Sequence, residues 1–362
     1  MVGSRKKIRV LIIDDSLLMR KMISSVLERD GDIEVVGVAV DAQDGREKIK
    51  QYNPDVVTLD VEMPGMDGLA FLEKIMTLRP MPVVMVSSLT QKGADATLRA
   101  LSLGAVDYVP KITSNSFDVE EMGATLISKV KTAAIARVRP LKKHTQQQSV
   151  KNKWNEADLA PKLNKNRFIA IGASTGGVES ITEVLSSLPS ILPPIVITQH
   201  MPEKFTKSFA SRLDGQLKLN VVEAKDGQVL ESGKVYIAPG NYHLQIEKKA
   251  GGYGICRTVM SEPVSGHRPS VDVMFSSVAK NIGPKAIGVL LTGMGRDGAL
   301  GLKEMREIGA YTIGQDEATS VVYGMPRAAF ECGAVKTQLP LEKIADEIVH
   351  QCMQKAGVSR AS

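Results

Sequence analysis

Residues 8–16 read IRVLIIDDS, a mostly apolar run that ends in two aspartates and a serine. The run is short and rich in β-branched residues, so it predicts a buried strand, Ile8–Ile13, more readily than a helix. Further runs of this kind occur at Glu34–Val40, Val56–Leu59, Val83–Val86 and Tyr108–Val109, with amphipathic helical patterns between them. Five strands alternating with helices predict a parallel, doubly wound α/β sheet.

A second alternation of strands and helices begins at Phe168. Its predicted strands are Phe168–Ile171, Ile195–Thr198, Val221–Glu223, Val235–Ala238, Ala286–Leu291 and Tyr311–Ile313. The stretch Val235–Val259 has a more antiparallel pattern, with turns at Asn241 and Gly251-Gly252, and predicts a β-hairpin insertion. The pattern fails between the two halves, where the chain is polar and aperiodic. We therefore expect two doubly wound α/β domains, at 8–130 and 166–355, joined by a linker at 131–165.

The bulk composition indicates a globular protein. The chain has 362 residues, of which 43% are hydrophobic and 24% charged. The N-terminus has no uninterrupted apolar core and no cleavage site, so we expect no signal peptide. No apolar stretch reaches the roughly 18 residues of a membrane span, so no direct membrane insertion is expected. The three cysteines are far apart, which suits a reducing, cytoplasmic location.

The net charge of +6 could suggest a nucleic-acid partner, but the charge is unevenly distributed. Residues 131–165 carry nine Lys or Arg and two acids, so the rest of the chain has a net charge of −1. A solvated basic linker is therefore favoured over an arm that binds nucleic acid or membrane. We expect no nucleic-acid partner.

Polar side chains collect at the strand ends of the first domain. Asp14 and Asp15 follow the first strand, Asp60 follows the third, Ser87 the fourth and Lys111 the fifth. Because the carboxyl ends of parallel strands meet at one edge of the sheet, these groups should converge there. Clustered carboxylates need a cation, and all-oxygen ligands suit Mg²⁺. The hydroxyl and the ammonium group could bind phosphoryl oxygens.

These residues also carry a family resemblance. Residues 8 to about 130 resemble the response-regulator receiver family, through Asp14-Asp15-Ser16, the stretch from Leu59 to Gly68, Val86-Ser87-Ser88 and Lys111. The resemblance implies a flavodoxin-like fold, and a phosphoryl group transferred to Asp60 by a histidine kinase. It further implies that Asp14, Asp15 and Asp60 hold Mg²⁺.

The same resemblance assigns the sensing residues. Ser87 would contact the phosphoryl oxygens, Lys111 would sense the new charge, and Tyr108 matches the aromatic switch position. The order Pro110-Lys111 reverses the family's usual Lys-Pro. This departure could alter the local loop but should keep the lysine.

A glycine-rich turn follows the first strand of the second domain. Residues 172–177 read GASTGG. One interpretation is a phosphate cradle at a helix N-terminus, but Val178-Glu179 stand where a P-loop requires Lys and Ser or Thr. The other is a strand-to-helix elbow presenting Ser174 as a nucleophile, since residues 172–176 fit G-x-S-x-G. Without further evidence, a tight turn with a capping serine is also compatible.

Two residues elsewhere favour the nucleophile. His200 and Asp297 each follow a different predicted strand, so they can meet Ser174 at one sheet edge, as a Ser–His–Asp triad requires. The chain order Ser, His, Asp differs from that of the α/β-hydrolases. His267, in a loop, is the one real rival for the role of the base.

A second resemblance covers this half. Residues 166 to about 355 resemble the catalytic domain of the chemotaxis protein-glutamate methylesterases, through GASTGG, Gln199-His200-Met201-Pro202, Ile237-Ala238-Pro239-Gly240, Arg268-Pro269-Ser270-Val271-Asp272 and residues 291–298. The resemblance implies a Rossmann-like domain that hydrolyses glutamate methyl esters on methyl-accepting chemotaxis receptors and releases methanol. It also implies deamidation of receptor glutamines and activation by receiver phosphorylation.

The roles expected in this reaction follow from the resemblance and from general chemistry. Ser174, His200 and Asp297 would be catalytic, and backbone N–H groups at Thr175 or near Met294 would hold the oxyanion. Arg268 could bind substrate carboxylates or form a structural salt bridge. No cofactor is expected for the ester chemistry. A DNA-binding output and a nucleotide-binding output are the competing interpretations. The first lacks a terminal helix-turn-helix pattern, and nucleotide titration would test the second.

Overall fold

The computed structural model describes residues 6–63, 65–87, 90–111, 116–141 and 154–354. The chain divides into two compact units, one ending at Lys143 and the other beginning at His144. No helix within the described ranges is both long and apolar enough to cross a membrane.

The first unit is built on a five-stranded parallel sheet. Its strands are β1 (Ile8–Ile13), β2 (Ile33–Ala39), β3 (Val56–Asp60), β4 (Val83–Ser87) and β5 (Asp107–Pro110). They lie in the order β2-β1-β3-β4-β5, which is the flavodoxin-like order. The predicted doubly wound sheet is confirmed, with strand ends that differ from the predicted bounds by at most one residue. The strand order reverses between β1 and β3.

Among the described residues, four helices connect these strands and a fifth follows β5. They are α1 (Leu17–Leu27), α2 (Ala42–Tyr52), α3 (Gly68–Leu78), α4 (Gln91–Ser102) and α5 (Ser116–Ala134). The first four begin at side chains suited to capping, because Ser16, Asp41, Asp67 and Thr90 each accept a hydrogen bond from a backbone N–H of the first turn. Strands β3 and β4 are buried at every position, as expected for a sheet covered on both faces.

The second unit contains a seven-stranded parallel sheet. Its strands are β6 (Phe168–Ala173), β7 (Ile195–Gln199), β8 (Asn220–Glu223), β9 (Lys234–Ile237), β12 (Ala286–Leu290), β13 (Tyr311–Gln315) and β14 (Thr337–Leu339). They lie in the order β14-β13-β12-β6-β7-β9-β8. The order reverses between β6 and β12, so the crevice expected to hold ligand lies at the carboxyl ends of those two strands.

Within the described part of this unit, a separate two-stranded hairpin and seven helices accompany the sheet. The hairpin pairs β10 (His243–Glu247) with β11 (Ile255–Val259) in antiparallel fashion. The helices are α6 (Glu156–Leu159), α7 (Gly177–Ser186), α8 (Glu203–Gln216), α9 (Val271–Ile282), α10 (Ala299–Glu307), α11 (Met325–Glu331) and α12 (Leu341–Met353), with 3₁₀ turns at Ala160–Lys162 and Gly283–Lys285. The predicted Rossmann-like sheet with a hairpin insertion is confirmed.

One part of the strand prediction needs correction. The stretch Val235–Val259 is not antiparallel throughout, because β9 pairs in parallel with both β7 and β8. Antiparallel pairing in this stretch is between β10 and β11. Strand β9 therefore belongs to the central parallel sheet and not to the antiparallel hairpin.

The stretch assigned to the linker, 131–165, contains regular structure at both ends. Helix α5 continues to Ala134, and α6 lies within the range. Glu156 in α6 accepts hydrogen bonds from the Ser190 backbone N–H at 2.8 Å and from its hydroxyl at 2.9 Å. The segment around α6 is therefore attached to the second unit. Residues 142–153 of the predicted linker lie outside the described residues.

Candidate functional site

Ser174 lies in a tight turn between β6 and α7. The Ser174 carbonyl accepts a hydrogen bond from the Gly177 N–H at 2.7 Å. Gly176 has φ 76° and ψ 0°, which is the third position of a type II turn. A side chain at Gly176 would also place its Cβ 2.6 Å from Val321. Glycine is therefore required for the elbow that exposes Ser174 at the end of the strand.

The structure brings Ser174, His200 and Asp297 together. His200 Nδ1 lies 3.0 Å from Ser174 Oγ, and His200 Nε2 lies 2.7 Å from Asp297 Oδ2. Because an ionised carboxylate only accepts, Nε2 carries the proton of the neutral ring and Nδ1 accepts from the serine hydroxyl. The two ring nitrogens thus have the opposite roles to those in the chymotrypsin triad. The three side chains follow β6, β7 and β12, at the crevice where the strand order reverses.

Asp297 is held as a buried anion. Its Oδ2 accepts from the Val271 N–H at 2.7 Å, and its Oδ1 accepts from the Ser270 hydroxyl at 2.8 Å and the Asp272 N–H at 3.0 Å. Burial alone raises the pKa of Asp297, but the hydrogen bond from His200, the positive charge of that ring when it is protonated, and the two backbone donors outweigh burial and lower this pKa to about 2. The carboxylate therefore stays ionised at neutral pH at the N-terminus of α9.

A second carboxyl lies behind the first. Asp272 accepts a hydrogen bond from the Gly301 N–H at 2.8 Å, at the start of α10. Burial, and then the neighbouring charge of Asp297, raise the pKa of Asp272 to about 6. Asp272 thus links the first turns of α9 and α10, between which Asp297 is held.

His267 and Arg268 lie beside the same site. The His267 ring stacks on the His200 ring, with centroids 3.7 Å apart and planes at 15°. His267 therefore packs against the candidate base, while His200 bridges Ser174 and Asp297. Arg268 donates from its Nη1 to the Ser261 carbonyl at 2.7 Å, and its Nε has no hydrogen-bond partner among the described residues.

The two predicted oxyanion donors lie on loops that meet at Ser174. The Ser174 N–H donates to the Thr292 carbonyl at 3.0 Å, which joins the β6 and β12 loops. A Cβ at Gly293 would lie 2.8 Å from Ser174 Cβ, so glycine allows this close approach. Thr175 is buried, whereas the Met294 side chain is 42% exposed.

The side chains of Gln199 and Ser270 also contact the site, and neither was assigned a role from the sequence. Gln199 donates from Nε2 to the Ser174 carbonyl at 2.9 Å, and Ser270 binds Asp297. Both occur in the motifs quoted above, directly before His200 and before α9. A polar residue directly after a buried predicted strand is the signal that could have identified Gln199.

The acidic residues of the first unit also converge. Oxygen atoms of Asp14, Asp15 and Asp60 lie within 4.8 Å of one another. Lys111 Nζ forms an ion pair with Asp60 Oδ2 at 2.6 Å. The Arg20 guanidinium donates to the backbone carbonyls of Asp14 at 2.6 Å and Asp15 at 2.9 Å, which fixes the loop after β1.

The electrostatics of this cluster suit a divalent cation. Burial, and then the charge of Asp60, raise the pKa of Asp14 to about 6. Burial also raises the pKa of Asp60, although Lys111 opposes the shift. Asp14 Oδ2 is buried without a hydrogen-bond partner among the described residues. A buried, unpaired carboxylate oxygen beside two further carboxylates fits a magnesium ligand set.

The remaining predicted residues of this unit lie at the same edge or close to it. Ser87 is buried at the end of β4, and its hydroxyl donates to the Gly93 carbonyl at 3.2 Å. The Lys111 N–H donates to the Ser87 carbonyl at 2.7 Å, so the reversed Pro110-Lys111 order leaves the lysine at Asp60. Tyr108 is buried in β5, which raises its pKa well above the usual range.

Fold and site together define a class of protein: a response regulator whose output unit carries the side-chain geometry of a serine hydrolase. The family model described as CheB methylesterase matches residues 169–348, and the response regulator receiver domain matches residues 10–120. The chain belongs to the CheB methylesterase family, in the form with an N-terminal receiver domain. Both resemblances seen in the sequence are thereby confirmed.

Two curated relatives are similar in sequence over nearly the whole chain, and one solved structure is similar to its second unit. A protein-glutamate methylesterase/protein-glutamine glutaminase 1 of Caulobacter vibrioides is 55% identical over 349 residues, covering 95% of this chain and 97% of the relative. A similarly named protein of Agrobacterium fabrum is 53% identical, covering 94% and 95%. The crystal structure of the Thermotoga maritima CheB methylesterase catalytic domain is 39% identical, with a TM-score of 0.50, and covers 51% of this chain and 97% of that one.

Proposed function

We propose that this protein hydrolyses glutamate methyl esters on methyl-accepting chemotaxis receptors, releases methanol, and is activated when its receiver is phosphorylated. The observation that carries the proposal is the continuous hydrogen-bonded chain from Ser174 through His200 to Asp297. The names of the relatives, which specify both methylesterase and glutaminase, support the same substrate class.

The geometry suggests the steps of the reaction. His200 Nδ1 accepts the proton of Ser174 as its oxygen attacks the ester carbonyl. Asp297, fixed as an anion, stabilises the resulting imidazolium. Backbone N–H groups of Thr175 and Met294 would hold the negative oxygen of the tetrahedral intermediate. The intermediate expels methoxide, which takes the proton from His200 and leaves as methanol. Water, activated by His200, then attacks the acyl-enzyme and releases the glutamate carboxylate.

A glutamine side chain could follow the same route. Attack of Ser174 on the amide carbonyl gives the same acyl-enzyme, and His200 protonates the departing ammonia. Both reactions leave a carboxylate on the receptor and need no cofactor in this scheme. Arg268, beside His267, would bind neighbouring receptor carboxylates through charge-assisted hydrogen bonds.

The receiver would supply the control. Asp60 would accept a phosphoryl group from a chemotaxis histidine kinase, while Asp14, Asp15 and Asp60 hold Mg²⁺, which neutralises charge around the transferred group. Lys111, already paired with Asp60 Oδ2, would bind the new phosphoryl oxygens. Ser87 would contact the same group, and Tyr108 would change its packing in response.

The division of the chain follows from these assignments. Residues 8–130 would form the receiver, 131–165 the connecting segment and 166–355 the methylesterase domain. A cytoplasmic location suits a kinase partner and free cysteines, since Cys256, Cys332 and Cys352 form no disulfide. The proposal includes no nucleic-acid partner and no direct membrane insertion.

A methanol-release assay tests the proposal. Membranes bearing methylated receptors are incubated with the protein, with and without a small phosphodonor. Ser174→Ala should lower the rate by about 10⁴-fold or more, since loss of a triad member has effects of that order. Ser187→Ala, at the exposed C-terminus of α7, is the matched control and should retain normal activity. A folded Ser174→Ala variant with near-normal activity would exclude the proposed mechanism.

A further inference from the structure

The peptide unit between Ser174 and Thr175 contains one of the two proposed oxyanion donors. Its carbonyl belongs to Ser174 and its N–H to Thr175. Because a trans peptide is planar, these two groups point in opposite directions. Whatever fixes the direction of the Ser174 carbonyl therefore fixes the direction of the Thr175 N–H.

Two donors hold that carbonyl from the protein side. One is the Gly177 N–H of the turn, at 2.7 Å. The other is Gln199 Nε2, at 2.9 Å, from the last residue of β7. The Gln199 side chain is almost fully buried, and its Nε2 also lies 3.4 Å from the His200 carbonyl. One carboxamide thus contacts the backbone of the candidate nucleophile and of the candidate base.

The orientation of this carboxamide is set by its neighbours. If the amide were flipped, Oε1 would face two carbonyl oxygens and no donor, which is unfavourable. In the observed orientation Oε1 is buried without a hydrogen-bond partner among the described residues. It lies against Gly177, where an added Cβ would approach within 2.0 Å of Oε1. The second glycine of the turn therefore makes room for Gln199.

We propose that Gln199 is a positioning residue for the oxyanion site, holding the Ser174–Thr175 peptide so that the Thr175 N–H points at the developing negative oxygen. This inference rests on the proposed function. Gln199 itself does not touch the reacting atoms. Its hydrogen bond to the carbonyl also polarises the peptide, which strengthens the N–H as a donor. A pre-aligned donor acts mainly on the transition state, so its loss lowers kcat rather than raising KM.

The test compares Gln199→Met, which keeps the length of the side chain but cannot donate, with the wild-type full-length chain. Gln199→Asn is the second variant, since it keeps a carboxamide that is too short to reach the Ser174 carbonyl. Gln351→Met is the matched control, because Gln351 is also buried but lies in α12 and its side chain binds Glu347. Folding of each variant is checked by its thermal midpoint.

Two readouts distinguish alignment from simple support of the fold. The first is methanol release, analysed as kcat, KM and pH profile. The second is the rate at which a fluorophosphonate probe labels Ser174, because its adduct is tetrahedral and places a phosphoryl oxygen at the oxyanion site. We expect both Gln199 variants to lose at least tenfold in kcat and in labelling rate. KM should stay within twofold and the pH profile should not move.

Other outcomes overturn the inference. They are a kcat within twofold of wild type in a folded Gln199 variant, a loss confined to KM, a shifted pH profile, or an equal loss in Gln351→Met. Failure of the proposed function is recognised separately. In that case the wild-type protein itself neither releases methanol nor reacts with the probe at Ser174, and the inference falls with it.

Discussion

The Ser270 hydroxyl donates a 2.8 Å hydrogen bond to Asp297 Oδ1, the carboxylate oxygen that does not face His200. The Asp272 N–H donates to the same oxygen, whereas Oδ2 receives the Val271 N–H and His200 Nε2. A carboxylate anchored through both oxygens cannot rotate about its Cβ–Cγ bond. Asp297 therefore keeps one oxygen directed at the imidazole.

This relationship predicts a kinetic role for Ser270. Ser270→Ala removes a hydrogen bond to a charged group, which typically contributes about 1.5–3 kcal/mol. We expect kcat for methanol release to fall about tenfold with little change in KM. Ser277→Ala is the matched control, since Ser277 lies about two turns further along α9 and binds the Met274 carbonyl. Equal activity of the two variants would show that Ser270 does not support Asp297 in the reaction.

The stacked rings of His200 and His267 should contribute unequally to activity. His200→Ala removes the group that contacts both Ser174 and Asp297, so its loss should approach that of Ser174→Ala, on the order of 10⁴-fold or more. His267→Ala removes a ring that stacks 3.7 Å from His200 and leaves the contacts of His200 with Ser174 and Asp297 in place, so we expect a loss of about tenfold or less. The activity of each variant is measured as methanol release from membranes that carry methylated receptors. An inactive His267→Ala beside an active His200→Ala would reverse the assignment of the base.

The raised pKa of Asp14 predicts a pH-dependent stability of the receiver. Between the usual carboxyl pKa of 3.8 and the folded value of about 6, the folded state binds more protons than the unfolded state. The free energy of unfolding should therefore fall as pH rises through this window, and the full penalty should be present above it. Asp14→Asn removes the penalty, so at pH 8 the variant should be the more stable protein.

Hydrogen exchange in the full-length chain measures this effect on the receiver alone. At pH 8, peptides from β1 and β3 should exchange about tenfold more slowly in Asp14→Asn than in wild type, with the difference vanishing near pH 4. Mg²⁺ should slow exchange in wild type by binding the folded state, and less so in the variant. Asp95→Asn, an exposed change in α4, is the control. Unchanged exchange with Mg²⁺ in wild type would argue against the metal site.

The rule that parallel strands end at the same sheet edge predicted most residues of the Ser174 site and of the aspartate cluster in the first unit. Ser174, His200 and Asp297 could be placed at one edge because each follows an apolar run, and parallel strands align their carboxyl ends. The same argument predicted that Asp14, Asp15 and Asp60 lie together at one edge of the first sheet. These groups depend only on strand direction and register, both of which leave a pattern in the sequence.

The supporting residues leave no such pattern. Ser270 reaches Asp297 because the start of α9 lies beside the β12 loop, a tertiary relationship between residues 27 positions apart. In the sequence, Gln199 is only a polar residue at the end of a strand. The structure is needed to show that its side-chain amide donates a hydrogen bond to the Ser174 carbonyl. Similarly, β9 follows a polar loop and precedes a hairpin, so local patterning does not reveal that it joins the parallel sheet. Contacts set by packing, rather than by periodicity, account for these differences.

The final prediction concerns control by the receiver. Its described residues contain no histidine, and its polar site is an aspartate cluster with Lys111, so it has no groups suited to ester hydrolysis. It must therefore act by changing the output of the second unit. Phosphorylation of Asp60 replaces a carboxylate of charge −1 with an acyl phosphate of charge about −2, next to Lys111 Nζ, which already lies 2.6 Å from Asp60 Oδ2. A shift of a few kcal/mol between two receiver states would change activity tenfold or more.

We expect the unphosphorylated receiver to restrain the esterase. A fragment starting at Trp154 keeps Glu156 and its hydrogen bonds to Ser190, and should release methanol at least tenfold faster than the unphosphorylated full-length chain. A small phosphodonor with Mg²⁺ should raise the full-length rate towards that of the fragment. Asp60→Asn should stay at the low rate with or without phosphodonor, while Asp95→Asn should respond normally. If the fragment is no faster than the unphosphorylated chain, the receiver does not inhibit, and phosphorylation must act by another route, such as recruitment to receptors.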